Sequence, residues 1–219
     1  MRDFKSLSFD PVACRSELEK FRILLRDHRE LEERRQVLTF FRKHEHLSGL
    51  IGWLAANPGQ VDHIAYEFSW FRDFTCDLAL ADKSNPPVVT LVEFEDARKA
   101  SLFKARQGRN IPMWSERVGH GESQIIDWLW KIDDQRRTED FRQTFGEGEV
   151  KFVLFLIVGR KHFLGTRELR RMQWRKEKLV FDSHKIEIFT YDELLDRLSR
   201  KLRSFEVMQS TTPTPADGE

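Results

Sequence analysis

The stretch Thr75-Cys76-Asp77-Leu78-Ala79-Leu80-Ala81-Asp82-Lys83-Ser84-Asn85-Pro86-Pro87-Val88-Val89-Thr90-Leu91-Val92-Glu93-Phe94-Glu95 decides the fold class. Thr75–Ala81 and Val88–Phe94 have the length and apolar composition of strands, and the Lys-Ser-Asn-Pro-Pro run between them is a strong turn signal, so the pair predicts an antiparallel hairpin. Just upstream, Ile64–Trp70 reads as a third strand. Downstream, Val150–Val158 is the near-continuous apolar run expected of a strand covered on both faces, and Lys185–Thr190 is a further strand. Helical spacing appears in Glu122–Asp133, where Ile125, Trp128, Leu129 and Ile132 form one stripe, in the basic Thr166–Lys178, and from Tyr191 to about Leu202. From Ala97 to Gly121, Gly108, Pro112, Gly119 and Gly121 point mostly to loop. With two helices ahead of the strands, the order α-α-β-β-β-α-β-α-β-α implies an α/β fold, a mixed sheet flanked by helices.

Toward the N-terminus, Arg15–Phe41 reads as one long charged helix with Leu18, Phe21, Leu25, His28, Leu31 and Leu38 at or near heptad spacing. Such a stripe serves either packing on its own domain or a contact between subunits. A second helix, Leu47–Ala56, is expected to end at Asn57-Pro58. Residues 1–46 are thus a helical extension, residues 47–204 the sheet-bearing domain, and residues 205–219 a Thr/Pro/Asp-rich tail expected to be disordered.

Composition sets outer bounds. Of 219 residues 40% are hydrophobic, with 18 Phe and 6 Trp, which supports a sizeable core and excludes a wholly disordered chain. The 37 Lys+Arg and 36 Asp+Glu leave a net charge of +1, so any nucleic-acid surface must come from local segregation of charge. The longest apolar run is too short to span a bilayer, and residues 1–15 lack the apolar block of a secretory signal; the expectation is a soluble, cytoplasmic protein with no membrane partner. Cys14 and Cys76 form neither a disulfide framework nor a metal motif.

Gly-rich phosphate loops, G-x-S-x-G elbows and zinc spacings are missing from the sequence. His44-Glu45-His46 places its imidazoles on different sides of a helix, without a matching third ligand. The strand carboxylates carry more information. Glu93 and Glu95, two apart, point to the same side if the strand extends through them. The hairpin can bring Asp77 beside them, and Glu67 on the preceding strand can join. Clustered carboxylates repel one another unless a cation sits among them, and hard oxygen donors suit Mg²⁺ or Mn²⁺. Acids at strand ends are also common as solvated rim charges, and spacing alone leaves both readings open. Charge segregation adds to the first: Ala97–Arg117 has six basic residues against one acid, and Gly159–Lys178 eight against two. Arg98 and Lys99, just after the acidic strand, and Arg170 and Arg171 on the basic helix are the candidate contacts to DNA phosphates.

Asp77-x15-Glu93-x-Glu95 resembles the acidic core of the PD-(D/E)XK, or restriction-endonuclease-like, superfamily. More narrowly, residues 47–202 resemble the C-terminal nuclease domain of the Shedu anti-phage defence proteins. The landmarks are Trp53-Leu54-Ala55-Ala56-Asn57-Pro58, Asp77-Leu78-Ala79-Leu80, Leu91-Val92-Glu93-Phe94-Glu95, Ser123-Gln124-Ile125-Ile126-Asp127-Trp128, Leu156-Ile157-Val158-Gly159-Arg160 and Ile186-Glu187-Ile188-Phe189-Thr190-Tyr191-Asp192. The resemblance implies a metal-dependent DNA endonuclease in which Asp77 and Glu93 bind Mg²⁺ or Mn²⁺, Gln124 lies near the site, and the chains assemble as homo-oligomers, dimers or tetramers. The helix from Arg15 is the natural place to look for that contact. The lysine usual two residues after the second acid is Glu95 here; glutamate could take a proton from water or share a second metal. The alternatives are a catalytically silent DNA-binding protein or scaffold that keeps the fold, and an oligomeric protein whose basic segments serve protein contacts. The larger N-terminal regulatory region of many Shedu proteins is not among these residues, so regulation is expected to be simpler or to lie in the helical extension.

Overall fold

The Thr75–Phe94 hairpin lies at the centre of a seven-stranded sheet. The computed structural model describes residues 3–55, 59–108 and 110–211. In chain order its elements are β1 (Lys5–Ser6), α1 (Pro11–Asp27), a π-helical segment (Glu33–Leu38), α2 (Thr39–Lys43), α3 (Glu45–Gly52), β2 (Val61–Trp70), β3 (Phe74–Asp82) and β4 (Val88–Phe94). Then come β5 (Phe103–Lys104), β6 (Met113–Trp114), α4 (Glu116–Gln135), α5 (Glu139–Phe145), β7 (Lys151–Ile157), a 3-10 turn (Lys161–Phe163), α6 (Thr166–Lys178), β8 (Val180–Phe181), β9 (His184–Phe189) and α7 (Tyr191–Thr211). The sheet runs β1-β2-β3-β4-β7-β9-β8. Neighbours β2, β3 and β4 are antiparallel, while β4, β7 and β9 are parallel, which makes the fold the expected mixed α/β sheet flanked by helices.

Alternation along the hairpin feeds two cores. Leu78, Leu80, Val92 and Phe94 pack with Leu18, Phe21 and Leu25 of α1, with α3 and with α7. Ala79, Ala81, Val89 and Leu91 pack on the other face with Ile125, Trp128 and Ile132 of α4 and with α5. Burying each large apolar side chain contributes about 1.5–3 kcal/mol, so this two-sided burial fixes the register and with it the place of every strand-end residue. The hairpin turn is ordered by Asp82, whose Oδ1 accepts from the N–H groups of Ser84 and Val88 at 3.1 and 2.8 Å.

The N-terminal reading needs correction. Arg15–Phe41 is not one helix: α1 stops at Asp27, and a π-helical segment restarts only at Glu33. The break has a side-chain donor and a backbone partner. Buried Arg160 donates to the carbonyls of Leu25 and His28 at 2.8 and 2.7 Å, and Leu31 exchanges backbone hydrogen bonds with Ala97. Leu18, Phe21, Leu25 and Leu31 are buried against their own chain, so this part of the heptad-like stripe is core.

The expected loop before Gly121 also ends early. Ser115 caps α4, accepting from the Val118 N–H, so Gly119 and Gly121 lie inside the helix. A Cβ at Gly121 would meet Leu156 of β7, so glycine there permits the close approach of helix to sheet. The helix α7 runs on to Thr211, into the stretch expected to be disordered; residues 212–219, and the expected helix end at Asn57-Pro58, lie outside the described residues. Helix α5 and the short strands β1, β5, β6 and β8 were not anticipated. Among the described residues no helix is long and apolar enough to cross a membrane.

Candidate active site

Strands β3 and β4 keep register from Ala81–Val89 to Leu78–Val92. Beyond that pair a side chain replaces a strand carbonyl: Asp77 Oδ2 accepts from the Phe94 N–H at 2.8 Å. Glu93 and Glu95 continue the alternation of Val89 and Leu91 toward α4. Glu93 is buried, and its Oε2 has no hydrogen-bond partner. Glu95, also buried, meets two residues from the first turns of α4: His120 Nδ1 lies 2.7 Å from its Oε1 and Arg117 Nη1 3.3 Å from its Oε2. Arg117 further reaches Asp96 at 3.2 Å and Glu33 at 3.5 Å, so one guanidinium bridges three carboxylates. The Glu33 N–H in turn donates to Asp96 Oδ1 at 2.9 Å, which draws the π-helical segment into the site. One turn beyond His120, Gln124 carries a buried and unpartnered Oε1.

The opposite face of the strand end is stiffened by aromatics. Phe94 stacks on Phe41 with centroids 4.6 Å apart and on Tyr191 at 6.4 Å, and the Tyr191 hydroxyl donates to the Glu95 carbonyl at 2.7 Å.

Electrostatics follow from this crowding. Burial, with the charges of Glu33 and Glu95, raises Asp77 to about 7 despite the Phe94 N–H and Arg42, which pull it down. Burial, then Asp77, Glu95 and Glu33, raises Glu93 to about 10. Burial and Glu95 likewise raise Glu33, against Arg117. A site that makes its carboxylates hold protons is one whose charge is under-compensated.

Sequence reasoning named some of these groups and missed others. Asp77, Glu93 and Glu95 are brought together, with Gln124 on the facing helix. Glu67 is not brought in: its backbone is left-handed (φ 49°), and its exposed carboxylate pairs with Arg42 at 2.6 Å. Arg98 is tied to Glu32 at 2.8 Å, whereas the Lys99 side chain is exposed. Arg170 is exposed, but Arg171 donates to the Pro112 carbonyl and lies over the Phe103 ring, so its guanidinium is committed within the fold. Of the other basic residues in that stretch, Arg160, Arg175 and Lys176 are ion-paired with Asp192, Glu122 and Glu193. Glu33, Arg117 and His120 were not singled out. Glu33 was hidden in the supposed long helix, and Gly119 and Gly121 masked the helical spacing of Arg117, His120 and Gln124.

The donors suit a hard divalent cation in kind: oxygens only, one of them a buried carboxylate oxygen without a partner. Among the described residues no group of three His, Cys, Asp or Glu is gathered as a metal cage. Mg²⁺ does not require one, since it keeps several waters and is commonly held by one or two carboxylates. Asp77 and Glu93 meet that need.

No curated protein matches the chain. The family model described as Shedu protein SduA, C-terminal, matches residues 30–195, from just before the π-helical segment into α7, and so spans the whole site. With three quarters of its length under that one match, the chain belongs to the Shedu family.

Proposed function

We propose that this protein is a divalent-metal-dependent DNA endonuclease of anti-phage defence. The observation that carries the reading is the buried Glu93 carboxylate, its Oε2 without a partner, beside Asp77 at the strand end facing α4. Asp77 and Glu93 would hold Mg²⁺ or Mn²⁺, which supplies charge neutralisation at a phosphodiester and an acidified water. Glu95 serves as an orienting acid. Anchored by Arg117, it accepts from His120 Nδ1, which leaves Nε2 as the ring's acceptor for a proton from the attacking water. Gln124 Oε1 offers a second acceptor to that water. Association into a homo-oligomer belongs to the same proposal, through a surface other than the buried α1 stripe.

One observation favours a second reading. The Glu95 carboxylate is already engaged by two partners, as in a fold that keeps its strand end but has become a silent DNA-binding protein or scaffold. Supercoiled plasmid DNA incubated with Mg²⁺ or Mn²⁺ decides between them. Nicked or linear product from wild type and none from Asp77→Ala supports the nuclease; intact plasmid with both metals sinks it.

A further inference from the structure

Outside Glu95 the surface opens into a cleft of about 650 Å³ whose charges are sorted by depth. The Asp96 and Glu33 side chains form its floor, 8% and 20% exposed, and Arg98 and Arg117 stand halfway. Arg34 and Arg35 form the lip, with side chains 91% and 86% exposed. Their nearest acids, Glu33 and Glu32, lie 4.0 and 3.8 Å away, beyond hydrogen-bond reach, and such long pairs to solvent-facing guanidiniums hold them only weakly. Both guanidiniums therefore remain available to an anion.

Their position is fixed, although their side chains are open. Leu31 and Ala97 exchange N–H···O bonds of 3.3 and 2.9 Å, the Glu33 N–H binds Asp96, the Lys99 N–H donates to Glu30 at 2.8 Å, and Glu32 pairs with Arg98. These contacts staple residues 30–33 to the chain leaving β4, the strand that bears Glu93. The π-helical turn that follows presents Arg34 and Arg35 above that strand end, and such helical irregularities recur at functional sites. Arginines at the lip of a cleft just outside Glu95 suit a nucleic-acid backbone: phosphates flanking the proposed metal site meet forked donors that match their geometry, while Asp96 and Glu33 at the floor hold Arg98 and Arg117 in place.

We propose that Arg34 and Arg35 are the residues that seat the DNA backbone in this cleft, an inference that rests on the nuclease reading. It moves the main phosphate contact from the basic helix α6 to the N-terminal segment.

The test uses the full chain and a short DNA duplex of arbitrary sequence, with Ca²⁺ in place of Mg²⁺ and fluorescence anisotropy read over a salt series. R34Q/R35Q should bind about tenfold more weakly and flatten the slope of log K against log salt by roughly two units, close to one per lost contact. R200Q/R203Q, which removes two exposed charges from α7, should leave both quantities near wild type. Circular dichroism melts confirm that each variant is folded. Unchanged affinity and slope in R34Q/R35Q overturn the inference, as does equal weakening by the α7 pair; plasmid cleavage by wild type would then leave the nuclease reading standing. Wild type that neither cleaves DNA nor binds it in a salt-dependent way brings down that reading and the inference with it.

Discussion

Asp77 Oδ2 accepts a hydrogen bond from the backbone N–H of Phe94, 2.8 Å away, so the acid of one strand is built into the edge of the next. The bond fixes the carboxylate beside Glu93 whether or not a cation is present. It also keeps two acids together in a buried place, and that has a measurable cost.

Stability should depend on pH in an unusual direction. With Asp77 raised to about 7 and Glu93 to about 10, the folded chain binds more protons than the unfolded chain above the ordinary carboxyl range, so stability falls as pH rises from about 4 through 7 and beyond. Asp77→Asn and Glu93→Gln cannot ionise. In chelator at pH 8 each should be more stable than wild type by on the order of 1–2 kcal/mol, or roughly 2–8 °C in melting temperature, with the gap closing near pH 4. Added Mn²⁺ should raise the wild-type melting temperature and leave Glu93→Gln unmoved. Equal melting temperatures at pH 8 would contradict the burial argument.

His120 should matter for rate more than for metal. His120→Ala and Glu95→Gln should lower plasmid cleavage by about 10²–10⁴-fold, the usual worth of a positioned base, while calorimetric Mn²⁺ affinity stays within a few-fold of wild type. Cleavage by His120→Ala at the wild-type rate would place the base elsewhere.

Arg160 should be a stability residue. Its side chain is 6% exposed, ion-pairs with Asp192, and caps the end of α1. Arg160→Met removes the guanidinium from Asp192, which keeps only the Lys161 N–H, and from the Leu25 and His28 carbonyls, and should cost about 3–5 kcal/mol, read as a lower urea midpoint. A loss below about 1 kcal/mol would mean that the break after α1 is held by other contacts.

Leu18→Asp and Leu25→Asp should abolish cooperative unfolding without yielding a folded species of lower mass, because both side chains sit in the core beside Phe21. A folded, smaller particle in light scattering would restore the stripe as a subunit contact.

The strands were legible because their signals are local. Apolar runs of fixed length bracket Lys83-Ser84-Asn85-Pro86-Pro87, and β3, β4 and β7 lie within a residue or two of their sequence readings. The i, i+2 rule likewise placed Glu93 with Glu95. The break after α1 was invisible because its cause, Arg160, lies far along the chain and nothing in residues 28–32 announces a guanidinium cap. Arg117 and His120 were hidden for a related reason: the glycine that discouraged a helical reading is required only by Leu156 on a distant strand. Local charge counts misled most. Arg171, Arg175 and Lys176 look basic in sequence, yet each is spent on a carbonyl, a ring or a carboxylate inside the fold.

The aromatic stack behind the strand end has a consequence for the order of assembly. Phe41, Phe94 and Tyr191 come from an early, a middle and a late part of the chain, and the Tyr191 hydroxyl is what holds the Glu95 carbonyl. Contacts of such wide sequence separation form late, after loop closure has been met by the local hairpin and helices. A nascent chain still short of β9 and α7 therefore has Asp77 and Glu93 set by the hairpin but lacks the hydroxyl that holds the strand end at Glu95. The Glu95 carbonyl gains its hydroxyl partner only once synthesis has passed Tyr191 and α7 has docked.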